Sequence, residues 1–192
     1  MYLAPVGVLC EVDNGDEKGC SMNRLRILIG AAVTVVALTA TAAGIAATPL
    51  MRLNGTGPVK LGMTRAAAVS TGWLAHKTLG CELASPRPVV FQFNGPKAPA
   101  GLKGSASFVG GKLVNISFRS GVRTRLGIRP GVSTTGAMVR AYRQGGFRVT
   151  NVFDPVFQAR FVTATRGGRS IAAVASSTVI DTIAVPRLEV CE

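Results

Sequence analysis

Residues 27–47, ILIGAAVTVVALTATAAGIAA, make an unbroken run of 21 residues without a charge, and no other stretch so limits what this chain can become. A run of that length matches the roughly 20 residues needed to cross a bilayer core as a helix. Arg24 and Arg26 stand just before it, and a basic flank favours keeping that end in the cytoplasm. The run has no polar face, which excludes the half-buried helix of a cytosolic domain. Everything after it is therefore expected to face outward. Two outcomes stay open. The run ends in Ala40-Thr41-Ala42-Ala43-Gly44-Ile45-Ala46-Ala47 before Thr48-Pro49, the small-residue ending that a signal peptidase prefers, with cuts after Ala42, Ala43 or Ala47. Alternatively it stays as a single-pass anchor, with membrane contact through residues 27–47. The expected location is secreted, or extracytoplasmic and membrane-anchored.

Residues 1–21 suit neither outcome, because Glu11, Asp13, Asp16 and Glu17 give them an acidic centre where a signal peptide opens on basic residues. The expectation is a non-native leader over 1–21, with translation starting at Met22 and the signal peptide or anchor occupying 22–47. Cys10 and Cys20 then take no part in the mature chain.

The remaining 145 residues, from Thr48 to Glu192, suffice for one ordinary domain or two small ones. Of the 22 Lys and Arg, only Lys18, Arg24 and Arg26 precede Thr48, leaving 19 against five acids, Glu82, Asp154, Asp181, Glu189 and Glu192. The exported part is thus basic by about 14 charges. It holds two cysteines, Cys81 and Cys191. Outside the cytoplasm an even number of cysteines makes a disulfide the default, and two free thiols the alternative. A bridge over so long a loop stabilises by about 4–5 kcal/mol in the chain-entropy view.

Along this body, residues 48–57 read as a linker carrying Pro49, Asn54 and Gly55. Pro58 to Thr64 reads as a brief extended piece leading to a helix start, with Thr64 as N-cap, an Ala-rich helix over 65–71 and Gly72 as its stop. Strands are predicted over 89–93, 104–108 and 112–118, the last two joined as a hairpin by Gly110-Gly111. A second helix is predicted over 134–143, ended by Gly145-Gly146. Strands follow over 147–152, 158–165, 170–176 and 179–185, the middle pair joined by Arg166-Gly167-Gly168-Arg169. Laying Gly62-Met63-Thr64 over Gly131-Val132-Ser133 takes a shift of 69, and laying 112–118 over 179–185 takes 67. Such agreement reads as a tandem duplication. The expected fold class is α+β, two tandem helix plus antiparallel-sheet units after an N-terminal apolar export helix, the first over 58–121 and the second over 122–192.

The segment Lys60-Leu61-Gly62-Met63-Thr64-Arg65-Ala66-Ala67-Ala68, with its second appearance at Ile128-Arg129-Pro130-Gly131-Val132-Ser133 before Ala141-Tyr142, resembles the helix-opening motif of β-lactamase-inhibitor-protein-like and outer-membrane-assembly-lipoprotein-like domains of secreted bacterial proteins. The resemblance spans residues 58–185. It implies helical segments packed on antiparallel sheet and, as in the inhibitor, a concave sheet surface that grips a partner protein. The inhibitor has a disulfide within each unit, whereas Cys81 and Cys191 would tie the first unit to the chain's end.

Catalytic chemistry finds little to build on. His76, the single histidine, stands near Trp73 and reads as packed or solvated rather than as a general base. No Gly-x-Ser-x-Gly elbow occurs. The five acids have no motif spacing, and one histidine with two oxidised cysteines makes no zinc set. No catalytic residue, cofactor or metal is expected. The basic surplus does bear on partners: Arg119, Arg123, Arg125 and Arg129 cluster between the units, and Arg140, Arg143 and Arg148 follow along the second helix and its exit. Such density attracts anionic polymers. Aromatic stacking platforms are missing, so specific nucleic-acid binding is not expected. Asn54-Gly55-Thr56 and Asn115-Ile116-Ser117 match the glycosylation sequon. The expected function is an exported, non-enzymatic binding protein that uses an antiparallel sheet face for protein or ligand recognition. The alternative is a basic envelope-associated protein held to anionic cell-wall or membrane polymers.

Overall fold

The computed structural model describes residues 47–189; the leader, the apolar run up to Ala46 and Cys191 lie outside the described residues. Three short strands come first, β1 (Leu50–Arg52), β2 (Gly55–Thr56) and β3 (Val59–Lys60), each antiparallel to the next. Helix α1 (Arg65–Ser70) begins where the Oγ1 of Thr64 accepts the Ala67 N–H at 3.3 Å, which satisfies one of the free donors of its first turn. It stops before Gly72, whose φ of 75° suits glycine alone without strain. A meander follows, made of β4 (Ala75–Leu79), β5 (Val89–Gln92), β6 (Lys103–Val109) and β7 (Lys112–Ser120). Gly110 and Gly111 turn the β6–β7 hairpin with φ of 57° and 75°, the left-handed pair that matches strand twist.

β8 (Arg123–Thr124) then lies parallel to β1 and completes a small sheet in the order β3-β2-β1-β8. Helix α2 (Thr135–Gln144) is capped by Thr134, whose Oγ1 accepts the Ala137 N–H at 3.1 Å. It leads to a second meander, β9 (Arg148–Asp154), β10 (Ala159–Arg166), β11 (Arg169–Ala175) and β12 (Thr182–Val185). The two meanders are one sheet of eight antiparallel strands, ordered β4-β5-β6-β7-β12-β11-β10-β9. Its seam is β7 against β12, where Phe118 faces Ile183 and Ile116 faces Val185.

Both helices hang from that sheet by the same bonds. The N–H groups of Gly62 and Gly131 donate to the carbonyls of Leu113 and Ile180 at 2.8 and 2.7 Å. Leu113 and Ile180 donate back to the carbonyls of Met63 and Ser133, each at 2.9 Å.

The expected α+β class is corrected here. Among the described residues 44% are in strands and 11% in helices, so the protein is mostly β. The helices are short, 6 and 10 residues, because glycines stop both. Strand content exceeds expectation through β4 and the small sheet. Nor do the halves form separate helix-plus-sheet units, since the β7–β12 ladder makes them one continuous sheet. No described helix is long and apolar enough to cross a membrane.

The core lies between the helices and one face of the large sheet. Alternate residues of the strands supply it: Phe91 on β5, Ala106 and Phe108 on β6, Ile116 and Phe118 on β7, Ile183 and Val185 on β12. Phe91 meets Phe108 edge-on at 5.6 Å, and Phe93 tilts over Phe118 at 4.7 Å. From α2 come Thr135, Met138 and Tyr142, spaced along one helical face.

Burial raises the Tyr142 phenol above its usual range, and the Thr124 side-chain hydrogen bond offsets part of that rise. A phenol held neutral by folding stabilises the native state fully below the unfolded value of about 10, and that contribution disappears as pH rises towards the folded value. Urea unfolding followed from pH 9 to 11 is expected to lose up to about 1.4 kcal/mol per pH unit more in the natural chain than in Tyr142→Phe.

Candidate functional site

Strand alternation that sends Phe108 and Phe118 into the core sends their neighbours to the other face, which carries no helix among the described residues. The register there sets Ser105 opposite Ser117 and Ser107 opposite Asn115. These four small polar residues floor a groove of about 1580 Å³ on the open face. The hydroxyls of Ser105 and Ser117 are 2.9 Å apart and bonded to each other.

Two loops wall the groove. The first follows β4, where the Arg87 guanidinium donates to Glu82 at 2.9 Å and to the Gly80 carbonyl at 3.0 Å. The second joins β9 to β10. Its Asp154 Oδ1 accepts the N–H groups of Val156 and Phe157 at 2.9 and 3.3 Å, and Phe157 packs edge-on to Phe161 at 6.0 Å.

A strap formed by the residues after β12 crosses the floor. It is fixed at one end by the Ser170 hydroxyl, which donates to the Pro186 carbonyl at 2.7 Å. At the other end the Ser107 hydroxyl donates to the Glu189 carboxylate at 2.6 Å. Beneath it Ser107 and Asn115 are each only 3% exposed. Asn115 Oδ1 is nonetheless without a hydrogen-bond partner among the described residues. A buried acceptor left unpaired costs about 1–3 kcal/mol, and nearly all such groups in folded proteins are satisfied. Lys103, Arg119 and Arg187 line the same groove against Asp154 and Glu189. It thus combines hydroxyls, an amide, cations and an aromatic wall, which can bind a polar, acid-bearing segment.

The seven arginines singled out from sequence do not gather. All are exposed, but Arg119 and Arg148 lie on the open face of the sheet, whereas Arg140 and Arg143 sit on α2 across the opposite one. Arg123 is in the small sheet, and Arg125 and Arg129 are in the connection to α2. His76 is exposed at the β4 bulge, with a φ of 49°, away from the groove. The described acids are all engaged: Glu82 with Arg87, Asp154 in its turn, Glu189 with Ser107, and Asp181 with the N–H and hydroxyl of Ser176 at 2.6 and 2.7 Å. No group of metal-ligating side chains occurs among the described residues. Cys81 is disulfide-bonded, while Cys191, its expected partner, lies outside the described residues.

Sequence reasoning passed over Ser105, Ser107, Asn115 and Ser117. The signal was available, because the Gly110-Gly111 turn fixes the hairpin register and brings a Ser-x-Ser and an Asn-x-Ser face to face. Instead Asn115-Ile116-Ser117 drew notice as a sequon, a use that the burial of Asn115 opposes. No family model, curated protein or solved structure matches the chain.

Proposed function

We propose that this chain is a non-enzymatic binding protein, working outside the cytoplasm, that recognises a partner protein on the open face of its large sheet. The observation that carries this reading is Asn115 Oδ1, buried in the floor of the groove and without a hydrogen-bond partner among the described residues. The atom lies beneath the strap, so a bound segment that displaces residues 186–189 and brings a donor would satisfy it and recover the cost of leaving the bond unmade. The Ser107 to Glu189 bond indicates the chemistry that fits beside it, a carboxylate at the end of a short aliphatic arm. The resemblance to the inhibitor-like domains points the same way, because in the inhibitor a concave sheet surface grips the partner protein.

A second reading has its own support. The exported part carries a large basic excess, and only Arg87 has an acidic partner among the described residues. Such a surface would hold anionic wall or membrane polymers, in which case binding is screened by salt.

Capture from the producing cell's envelope and culture fluid, with the full chain as bait, separates the two. A partner bound in the groove is retained at about 0.5 M NaCl and is lost by roughly tenfold or more in Ser117→Phe, which fills the floor. Retention that vanishes with salt and ignores Ser117→Phe would replace this reading with the polymer one.

A further inference from the structure

Among the described residues the large sheet ends in two edge strands, β4 and β9, and they differ in kind. β4 is blunted as edge strands usually are: it is five residues long, its pairing is broken by a bulge between Ala75 and Lys77, His76 adopts a positive φ, and Lys77 is charged and exposed. β9 shares only the charge, on Arg148 and Asp154 at its two ends, and has neither a bulge nor a positive φ. Its seven residues pair with β10 without a register shift and include no proline, lysine or bulge. Val152 and Phe153 on it are 58% and 49% exposed. Its outer row of N–H and C=O groups has no strand beside it among the described residues. A regular edge with exposed apolar side chains and no neighbouring strand among the described residues is a template for another strand.

The sequence of β9, Arg148-Val149-Thr150-Asn151-Val152-Phe153-Asp154, is complementary to itself when reversed. In an antiparallel pair centred on Asn151, Arg148 of each copy stands opposite Asp154 of the other, Val149 opposite Phe153, and Thr150 opposite Val152. Each position meets one of opposite charge, or an apolar or β-branched match, on the same face of the sheet. Moving the centre to Thr150 or Val152 takes Asp154 or Arg148 out of the seven-residue pairing and leaves the other without an opposite charge. Neither charge has an ionic partner among the described residues, where the single ion pair is Arg87 with Glu82. Asp154 uses Oδ1 for its own turn, so Oδ2 remains for a guanidinium. Asn151 Oδ1 accepts from Arg160 at 3.4 Å, which leaves its amide N–H groups for its counterpart on the axis.

We infer that two copies of this chain join through β9 as a two-fold dimer, continuing the large sheet from one copy into the next. The symmetry is closed, because each copy offers one such edge and that edge is used up in the pairing. Asp154 also lines the groove, whereas Arg148 and Asn151 do not, so the variants at 148 and 151 test the dimer apart from the groove.

Sedimentation velocity on the full 192-residue chain over about 1–100 µM tests it, a range in which an interface of this modest kind is populated. A dimer is expected. Arg148→Asp, which leaves the Asp154 turn intact, sets like charges opposite each other at both ends and weakens the dimer about tenfold or more. Asp154→Arg does the same, and the double reversal Arg148→Asp with Asp154→Arg restores association. Register is read by oxidation: Asn151→Cys crosslinks to its own copy, because paired Cα atoms lie about 4.5–5.5 Å apart. Val149→Cys does not, since it stands opposite Phe153. A monomer throughout the range, a dimer indifferent to Arg148→Asp, or crosslinking no better at 151 than at 149 overturns the inference.

Discussion

Replacing Phe118 by alanine is expected to cost about 3–5 kcal/mol, the range for removing a large aromatic from a closed core. Phe118 is fully buried, its ring 4.7 Å from that of Phe93. It also stands where the two meanders meet, with Gly104 of β6 opposite on one side and Ile183 of β12 on the other. Alanine would leave a cavity between strands that cannot close over it without breaking the ladder. Because small proteins hold only about 5–15 kcal/mol in total, the variant is expected to be populated but fragile. The denaturant midpoint should fall while the slope stays unchanged. A loss under about 1 kcal/mol would mean that the seam is not packed as described.

Gly104→Ala is the complementary expectation, too much volume at the same place. A Cβ on residue 104 would lie 2.3 Å from Cδ1 of Phe118 and 2.3 Å from the Ser117 carbonyl oxygen. The ring can rotate away, but the backbone oxygen belongs to the β6–β7 ladder and moves only with it. Overpacking of this kind costs about 1–3 kcal/mol, occasionally more. Combining Gly104→Ala with Phe118→Leu separates the two clashes: the shorter side chain relieves one and not the other. The double variant is expected to lose less than the two single losses added together, measured by the same denaturant titrations. Strict additivity would show that residues 104 and 118 do not share the space the register gives them.

Much of the strand pattern could be read from local chemistry. Gly110-Gly111 and Gly167-Gly168 each adopt positive φ and turn hairpins, as their composition demands. Thr64 caps α1, and the helix predicted from Thr134 starts one residue later with Thr134 as its cap. What escaped was structure that exists only through distant partners. β4 has the sequence Ala-His-Lys-Thr-Leu, with no alternation to mark it and a bulge inside it; only pairing with β5 makes it a strand. β1, β2, β3 and β8 are two or three residues long, too short for any periodicity, and β1 meets β8 across more than seventy residues of chain. Overweighting two short helices against these unseen strands led to the wrong fold class. The groove escaped for a related reason. Its polar floor is local to one hairpin, but the Glu189 carboxylate over it arrives from residues 82 positions further on.

The position of β12 has a consequence for how the molecule comes into being. In space it is an inner strand, yet it is the last of the twelve described strands in chain order. While the polypeptide is being made, β7 and β11 each lack a neighbour until residues 182–185 emerge. Completion of the architecture therefore waits on the latest-born strand, a non-local step of the kind that slows folding. In that interval two bare ladders are open to strands from other nascent molecules.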